Sequence, residues 1–323
     1  MTGPARLALA AALAAVLGGC AAAAGDLATT TFPRRVGPPP CELGAETVSV
    51  PVRAREPLAG WFVEGPPGAP TVVLLHGHGE TRRQPLSRAE VLVAEGYGVL
   101  LVDLPGHGES RAEAVTYGWT ERFAASAAVG YVRQRRPGTR VGVVGLSLGA
   151  ASAALAGPFL DADALVLEGS FGTFESAVRN RVRRVLGPLS PPAEAALVGQ
   201  IRHRLGVPPD SVRPVAALAR ASAPTFVMAG ADDPFTPPAE TRALYDAAPE
   251  PKELWLVEGA GHDDLYDAAP EAYRRRLLAF FGVHLRPGPV AAGGAHRPAA
   301  RADRGGRGPR RSTGSWTRPG RCR

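Results

Sequence analysis

Cysteines, cofactor motifs and long apolar runs are all scarce in this chain, and each scarcity excludes something. Three cysteines occur in 323 residues, at positions 20, 41 and 322. That is too few for a disulfide-dense scaffold, and no Cys/His spacing of the metal-ligand kind accompanies them. No segment of the type that cradles a cofactor is present, so the expectation is no metal and no cofactor. The apolar stretch from Leu7 to Leu17 falls short of the roughly 20 residues that a bilayer-crossing helix needs. What remains is ordinary: 45% hydrophobic and 21% charged residues describe a globular chain, long enough for a large α/β domain with a substantial core.

The net charge of +7 belongs to one end. From Arg286 to Arg323 ten arginines stand against a single aspartate, an excess larger than the charge of the whole chain. The rest is therefore slightly acidic, and the basicity says nothing about a substrate. This Arg/Gly/Pro-rich stretch, 286–323, has no apolar periodicity and reads as a disordered tail. Arg304-Gly305-Gly306-Arg307 is similar to RNA-binding tracts, but no specific nucleic acid partner is expected. At the other end one positive charge, an Ala/Leu/Val run and Leu17-Gly18-Gly19-Cys20 resemble a bacterial lipoprotein signal. The resemblance implies removal of residues 1–19, lipidation of Cys20, export, and a lipid-held position on a membrane of the cell envelope. Residues 20–45, rich in Ala, Thr, Pro and Gly, read as a tether. Cys41 and Cys322 remain unassigned.

Between these ends strands and helices alternate. Thr47–Val52 alternates polar and apolar residues, with Leu58–Val63 as a hairpin partner. Thr71–Leu75, Gly98–Asp103, Val141–Val144, Ala164–Glu168, Thr225–Ala229 and Glu253–Val257 are short apolar runs of the kind buried on both faces of a parallel sheet. Helices are expected at 83–95, about 119–134, after Ser147, about 238–247 and about 271–281. The pattern describes one domain over 46–285 with a mostly parallel, doubly covered sheet. Two or three helical pieces at about 173–220 add no strand and read as a cap over the C-terminal edge of the sheet, where open α/β folds place ligands.

The chemistry centres on Gly145-Leu146-Ser147-Leu148-Gly149, which follows a strand and precedes an Ala-rich helix. Strand, sharp turn and helix are the setting in which a serine is held as a nucleophile. A serine hydroxyl needs a base to take its proton and a third group to orient that base. The strand ending at Ala229 leads into Asp232-Asp233, and the strand ending at Val257 leads into Gly259-Ala260-Gly261-His262. His262 is the expected base and Asp233 the expected acid, with Asp232 and Glu168 as rivals. An oxyanion needs pre-placed donors. The backbone N–H groups of Leu148 and His78 are the candidates, while the imidazoles of His76 and His78 are expected to shape their loop.

Four segments in order, His76-Gly77-His78-Gly79, Asp103 to Ser110, the Ser147 turn, and the acid and histidine loops, resemble the α/β-hydrolase superfamily. The small cap is most similar to serine-aminopeptidase-like and dienelactone-hydrolase-like members. The resemblance implies an α/β-hydrolase fold and a serine hydrolase acting on a small-molecule ester or amide. Ester hydrolysis through an acyl-enzyme is the first expectation. A peptidase or amidase of the same fold, and a non-catalytic envelope lipoprotein, are the alternatives. Where many relatives carry Glu-Asp before the Ser147 turn, this chain has Glu121-Arg122.

Overall fold

The aliphatic runs become eight strands in the computed structural model, which describes residues 22–208, 210–262 and 265–286. They are β1 (Glu46–Val50), β2 (Leu58–Val63), β3 (Thr71–Leu75), β4 (Gly98–Val102), β5 (Val141–Leu146), β6 (Ala164–Glu168), β7 (Thr225–Gly230) and β8 (Lys252–Val257). One sheet holds them in the order β1-β2-β4-β3-β5-β6-β7-β8. Only β2 runs against its neighbours, and every pair from β4 to β8 is parallel. All residues of β3 to β7 are buried, which explains why these strands read as unbroken apolar runs rather than alternating ones.

Helices are α1 (22–29), α2 (Leu86–Ala94), α3 (Glu121–Arg135), α4 (Leu148–Ala156), α5 (Phe174–Leu186), α6 (Ser190–Leu205), α7 (Pro214–Leu218), α8 (Pro238–Ala247), α9 (Leu265–Ala268) and α10 (Pro270–His284). One face of the sheet packs on α3, α4 and α8 through Ala125, Val129, Ala150, Ala154 and Leu244. The other packs on α2 and α10 through Leu92, Tyr273, Leu277, Phe280 and Phe281. A buried Leu or Phe of this kind contributes about 1.5–3 kcal/mol. No described helix is long and apolar enough to cross a membrane.

One expected boundary needs correction. Residues 22–45 are not a free tether. Phe32 and Pro33 pair in parallel with His107 and Gly108, Val36 and Leu43 are buried, and the Ala28 carbonyl accepts the Tyr117 hydroxyl at 2.9 Å. Apolar side chains spaced through a Pro-rich segment give it enough buried area to adhere without regular structure. The helical pieces expected at about 173–220 are α5, α6 and α7. α5 and α6 pack over a cluster of Phe174, Val178, Ile201 and Val207, which α7 joins through Ala217, while Leu218 of α7 faces the main core. The short α9 was not expected. Of the remaining expectations, the lipoprotein signal, Cys20 and the tail beyond Arg286 lie outside the described residues.

Candidate active site

The strand register brings the expected loops together. Leu75 of β3 lies beside Gly145 of β5, and Leu146 lies beside Glu168 of β6, so chain leaving these strands converges on one edge. Ser147 follows β5 directly with φ 49° and ψ −105°, a conformation that costs a non-glycine residue about 1–3 kcal/mol. The strain is held from both sides. Its N–H donates to the Glu168 carbonyl at 2.8 Å, and its own carbonyl accepts from Ala151 at 2.9 Å. The flanking glycines are steric necessities. A Cβ on Gly145 would sit 2.5 Å from the Ala150 nitrogen, and one on Gly149 would sit 2.3 Å from the Leu75 carbonyl oxygen.

Ser147, His262 and Asp233 meet in a continuous hydrogen-bonded path. Ser147 Oγ is 2.9 Å from His262 Nε2, and His262 Nδ1 is 2.6 Å from Asp233 Oδ2. Asp233 is buried at 3% exposure. Its Oδ1 accepts the N–H groups of Phe235 at 2.8 Å and Thr236 at 3.0 Å, and the Thr236 hydroxyl donates to Oδ2. Burial opposes ionisation here, but the His262 hydrogen bond and charge, with the Thr236 donors, outweigh it and hold the carboxyl below its ordinary value. The Nδ1 partner fixes the imidazole so that Nε2 is the nitrogen left to receive a proton from Ser147.

The rival acids are turned elsewhere. Asp232 is exposed, and its N–H donates to the Ala260 carbonyl at 3.0 Å. The Glu168 carboxylate pairs with Arg88 at 2.8 Å and accepts the Tyr273 hydroxyl, both on the α2/α10 side. Asp103 pairs with the fully buried Arg82, which also holds Glu109.

The loop after β3 is fixed by Gln84, whose Oε1 accepts the Gly77 N–H at 2.6 Å. His76 Nε2 accepts the Leu104 N–H at 2.9 Å, so this ring is neutral and structural. Burial, then the neighbouring His107, lowers its pKa to about 3. The His78 ring sits between Phe32, with centroids 4.9 Å apart, and Tyr117, at 6.1 Å. Burial, then His107 and Arg181, lowers its pKa to about 4. Neither the His78 N–H nor the Leu148 N–H donates to another group among the described residues, and Leu148 opens α4, where the first N–H groups have no intrahelical acceptor. These are two donors on the two loops that flank Ser147.

Several residues around the site carried no signal in the sequence. Phe32 and Ala28 lie in the stretch that read as a tether. Tyr117 adopts φ 54° and packs its ring against Phe174 with centroids 5.1 Å apart. The fully buried Glu121 accepts the N–H groups of Thr116 and Gly118, both at 2.9 Å, and so fixes that turn. The Glu121-Arg122 departure has a clear outcome, because Arg122 stacks 3.4 Å over Trp119. The cap reaches the acid loop through Asn180, which donates to the Phe235 carbonyl at 3.0 Å and to Glu240 of α8 at 2.6 Å. Phe235 in turn meets the His262 ring edge-on at 5.4 Å. Such long-range side-chain contacts have no local sequence signature.

Comparison with known proteins agrees with this architecture. Residues 72–276 match the alpha/beta hydrolase family. The uncharacterized protein YqkD of Bacillus subtilis is 26% identical over 218 residues, 65% of this chain and 70% of that protein. Among solved structures, an esterase of Pyrococcus furiosus is similar with a TM-score of 0.66 and 23% identity, over 80% of this chain and 99% of the esterase. A thermophilic esterase of Thermogutta terrifontis is similar with a TM-score of 0.55 and 20% identity, over 75% of this chain and 100% of that one.

Proposed function

The chain belongs to the alpha/beta hydrolase family, and on that premise we propose that it is a serine hydrolase cleaving small or medium carboxylic esters through an acyl-enzyme. The observation that carries this reading is the unbroken path from Ser147 Oγ through His262 to Asp233. In the first step Ser147 Oγ attacks the ester carbonyl carbon while His262 Nε2 takes the hydroxyl proton. The Asp233 carboxylate stabilises the resulting imidazolium through Nδ1–H without itself being protonated. Negative charge moves to the carbonyl oxygen, where the N–H groups of His78 and Leu148 receive it, one such donor being worth about 10²–10³ in rate. As the tetrahedral adduct collapses, His262 returns the proton to the departing alkoxide and an alcohol leaves. Water, deprotonated by the same nitrogen, then releases the acid and restores Ser147.

An ester rather than an amide is favoured because the similarly folded proteins of P. furiosus and T. terrifontis are esterases. Hydrolysis of p-nitrophenyl acetate and butyrate by wild type and Ser147→Ala tests the reading. Wild type is expected to turn over both, and a fluorophosphonate probe to label Ser147. Equal rates in the two proteins would refute the mechanism, and faster turnover of aminoacyl amides than of esters would move the activity to the peptidase class.

We further propose that the chain is exported and lipid-anchored at Cys20, on the strength of Leu17-Gly18-Gly19-Cys20 after an apolar run. Cys20→Ser is expected to move the protein from the membrane fraction to the soluble one. An unchanged distribution would remove the anchor from Cys20.

A further inference from the structure

Large apolar side chains on the described surface stand singly, with one exception. Leu27, Phe123, Phe159 and Val283 are exposed but isolated in sequence, as exposed apolar residues ordinarily are. At the turn joining α5 to α6, Val185 and Leu189 are 81% and 79% exposed, and Leu186 is exposed beside them. Pro188, Pro191 and Pro192 are exposed in the same stretch. A folded protein that covers its other aliphatic runs so thoroughly gains nothing in water from leaving this one bare.

Charge says what the turn fits. No acidic residue occurs from 185 to 193. Arg183 and Arg184, in the last turn of α5, are exposed and form no ion pair among the described residues. The carboxylates of the cap are engaged away from them, Glu194 with Arg179 at 2.8 Å and Glu175 with Arg202. An uncharged apolar tip with two cations at its base matches a phospholipid surface. The aliphatic side chains enter the boundary of the acyl region, and the guanidinium groups meet headgroup phosphates. Ala22 and Asp26 hold Arg204 at the far end of α6, about 22 Å along the helix from Leu189, so this contact leaves the turn uncovered.

We propose that the α5–α6 turn docks on an anionic phospholipid surface through Val185, Leu186 and Leu189, with Arg183 and Arg184 supplying the preference for negative charge. This goes beyond the hydrolase reading and does not depend on it. It adds to the proposed lipid at Cys20 a contact that turns the cap towards the membrane. The patch is small, so its own hold is weak and reversible, and partition is read at lipid in large excess over protein.

The test uses the full chain with Cys20, Cys41 and Cys322 replaced by serine and Leu189→Cys labelled with an environment-sensitive fluorophore. Without lipid on residue 20, failure of the anchor proposal cannot affect the result. Vesicles of phosphatidylglycerol and phosphatidylcholine together are expected to shift the emission to the blue, whereas pure phosphatidylcholine leaves it unchanged. Arg183→Glu with Arg184→Glu is expected to weaken the vesicle-dependent shift by about fivefold or more per arginine in partition. Val185→Ser is expected to weaken it on the same vesicles. A label on the native Cys41, in a chain with Leu189 intact, is expected to report water throughout. Thermal melting of each variant, independent of any hydrolase activity, shows whether it folds. No shift with a folded protein on anionic vesicles would overturn the proposal. So would a shift that survives the double arginine substitution, since the basic tail or the leader would then be the contact. A shift that needs no vesicles and grows with protein concentration would assign the turn to a second copy of the chain instead.

Discussion

Ser147, Asp233 and His262 stand on turns that leave the parallel strands β5, β7 and β8 of one sheet, whereas the chain that roofs them, residues 22–45 with α5 and α6, is attached through side chains far apart in sequence. In the first region position is dictated by backbone. The Ser147 turn has steric room only for glycine at 145 and 149, and strand register places the loops side by side. In the second, position depends on contacts such as Phe32 against His78 and Asn180 against Phe235. Substitutions in the first region are therefore expected to change chemistry or folding outright. Substitutions in the second should adjust it by small factors.

The largest effect is expected from Asp233→Asn. The amide cannot hold Nδ1–H and stabilise the imidazolium as the carboxylate does, and kcat is expected to fall on the order of 10³–10⁴-fold, with KM within a few-fold. Asp232→Asn, on an exposed side chain, is expected to leave both constants close to wild type in the same assay. A comparable loss from Asp232→Asn would give the orienting role to the wrong carboxylate in the present proposal.

The same chemical change should act with opposite sign in the two regions. Gly149→Ala places a methyl group 2.3 Å from the Leu75 carbonyl oxygen, where only backbone can yield. It is expected to cost about 3 kcal/mol or more, read by urea unfolding. Gly199→Ala, within α6 and with nothing near the added methyl group, is expected to stabilise by about 0.5–1 kcal/mol. A destabilising Gly199→Ala would mean that the cap packs more tightly than its contacts indicate.

This contrast also explains how much was legible in the sequence. The eight strands, most of the helices and the order Ser147, Asp233, His262 are each encoded locally. A run such as Thr71–Leu75 is apolar because both its faces are covered, and Gly145 and Gly149 are glycine because nothing else fits. Asp233 follows Gly230 by three residues, a spacing that resembles that of the α/β-hydrolase superfamily and favours it over Asp232, and burial together with the Thr236 donors supplies the physical reason. Phe32 was unreadable for the opposite cause. Its partners His78 and His107 lie 46 and 75 positions away, and a lone aromatic in a Pro-rich stretch has no period to reveal it. The two sides of α7 were unreadable similarly, since only the surfaces they meet send Ala217 to the cap cluster and Leu218 to the main core.

Acidification should sharpen the comparison at the seam between the regions, where His76 and His78 lie. Both are held neutral in the folded state, with pKa values lowered to about 3 and about 4 from 6.5. Below pH 6.5 the unfolded chain takes up protons that the folded one refuses, so stability falls as pH drops, by up to about 1.4 kcal/mol per pH unit for each histidine. Between pH 6.5 and 4.5 the expected loss is on the order of 2 kcal/mol for each histidine. The lowered Asp233 carboxyl contributes its own loss only below the ordinary carboxylate range. Glu121 and Asp103, raised by burial against their hydrogen bonds, act in the opposite sense, so a difference is the cleaner measurement. His78→Phe keeps a ring between Phe32 and Tyr117 and retains the backbone N–H. It is expected to reduce the slope of melting temperature against pH relative to wild type. An unchanged slope would show that His78 does not titrate with unfolding.

The smallest effect is expected where the N-terminal segment touches the oxyanion loop. Phe32 contacts the His78 ring edge-on, and an aromatic pair of this geometry contributes about 0.5–1.5 kcal/mol beyond its buried area. If that contact holds the His78 N–H at the distance a developing oxyanion needs, its loss appears in the transition state and not in substrate binding. Phe32→Ala is then expected to lower kcat by about three- to tenfold with KM nearly unchanged, and Phe32→Tyr to restore most of it. Tyr117→Phe, which removes the hydroxyl bonded to Ala28, loosens the same segment from its other side. Its effect should be less than additive with Phe32→Ala, because both act by fixing one loop. Fully additive losses, or a Phe32→Ala enzyme altered in KM alone, would make the segment a wall of the substrate cleft rather than a support for the oxyanion donor.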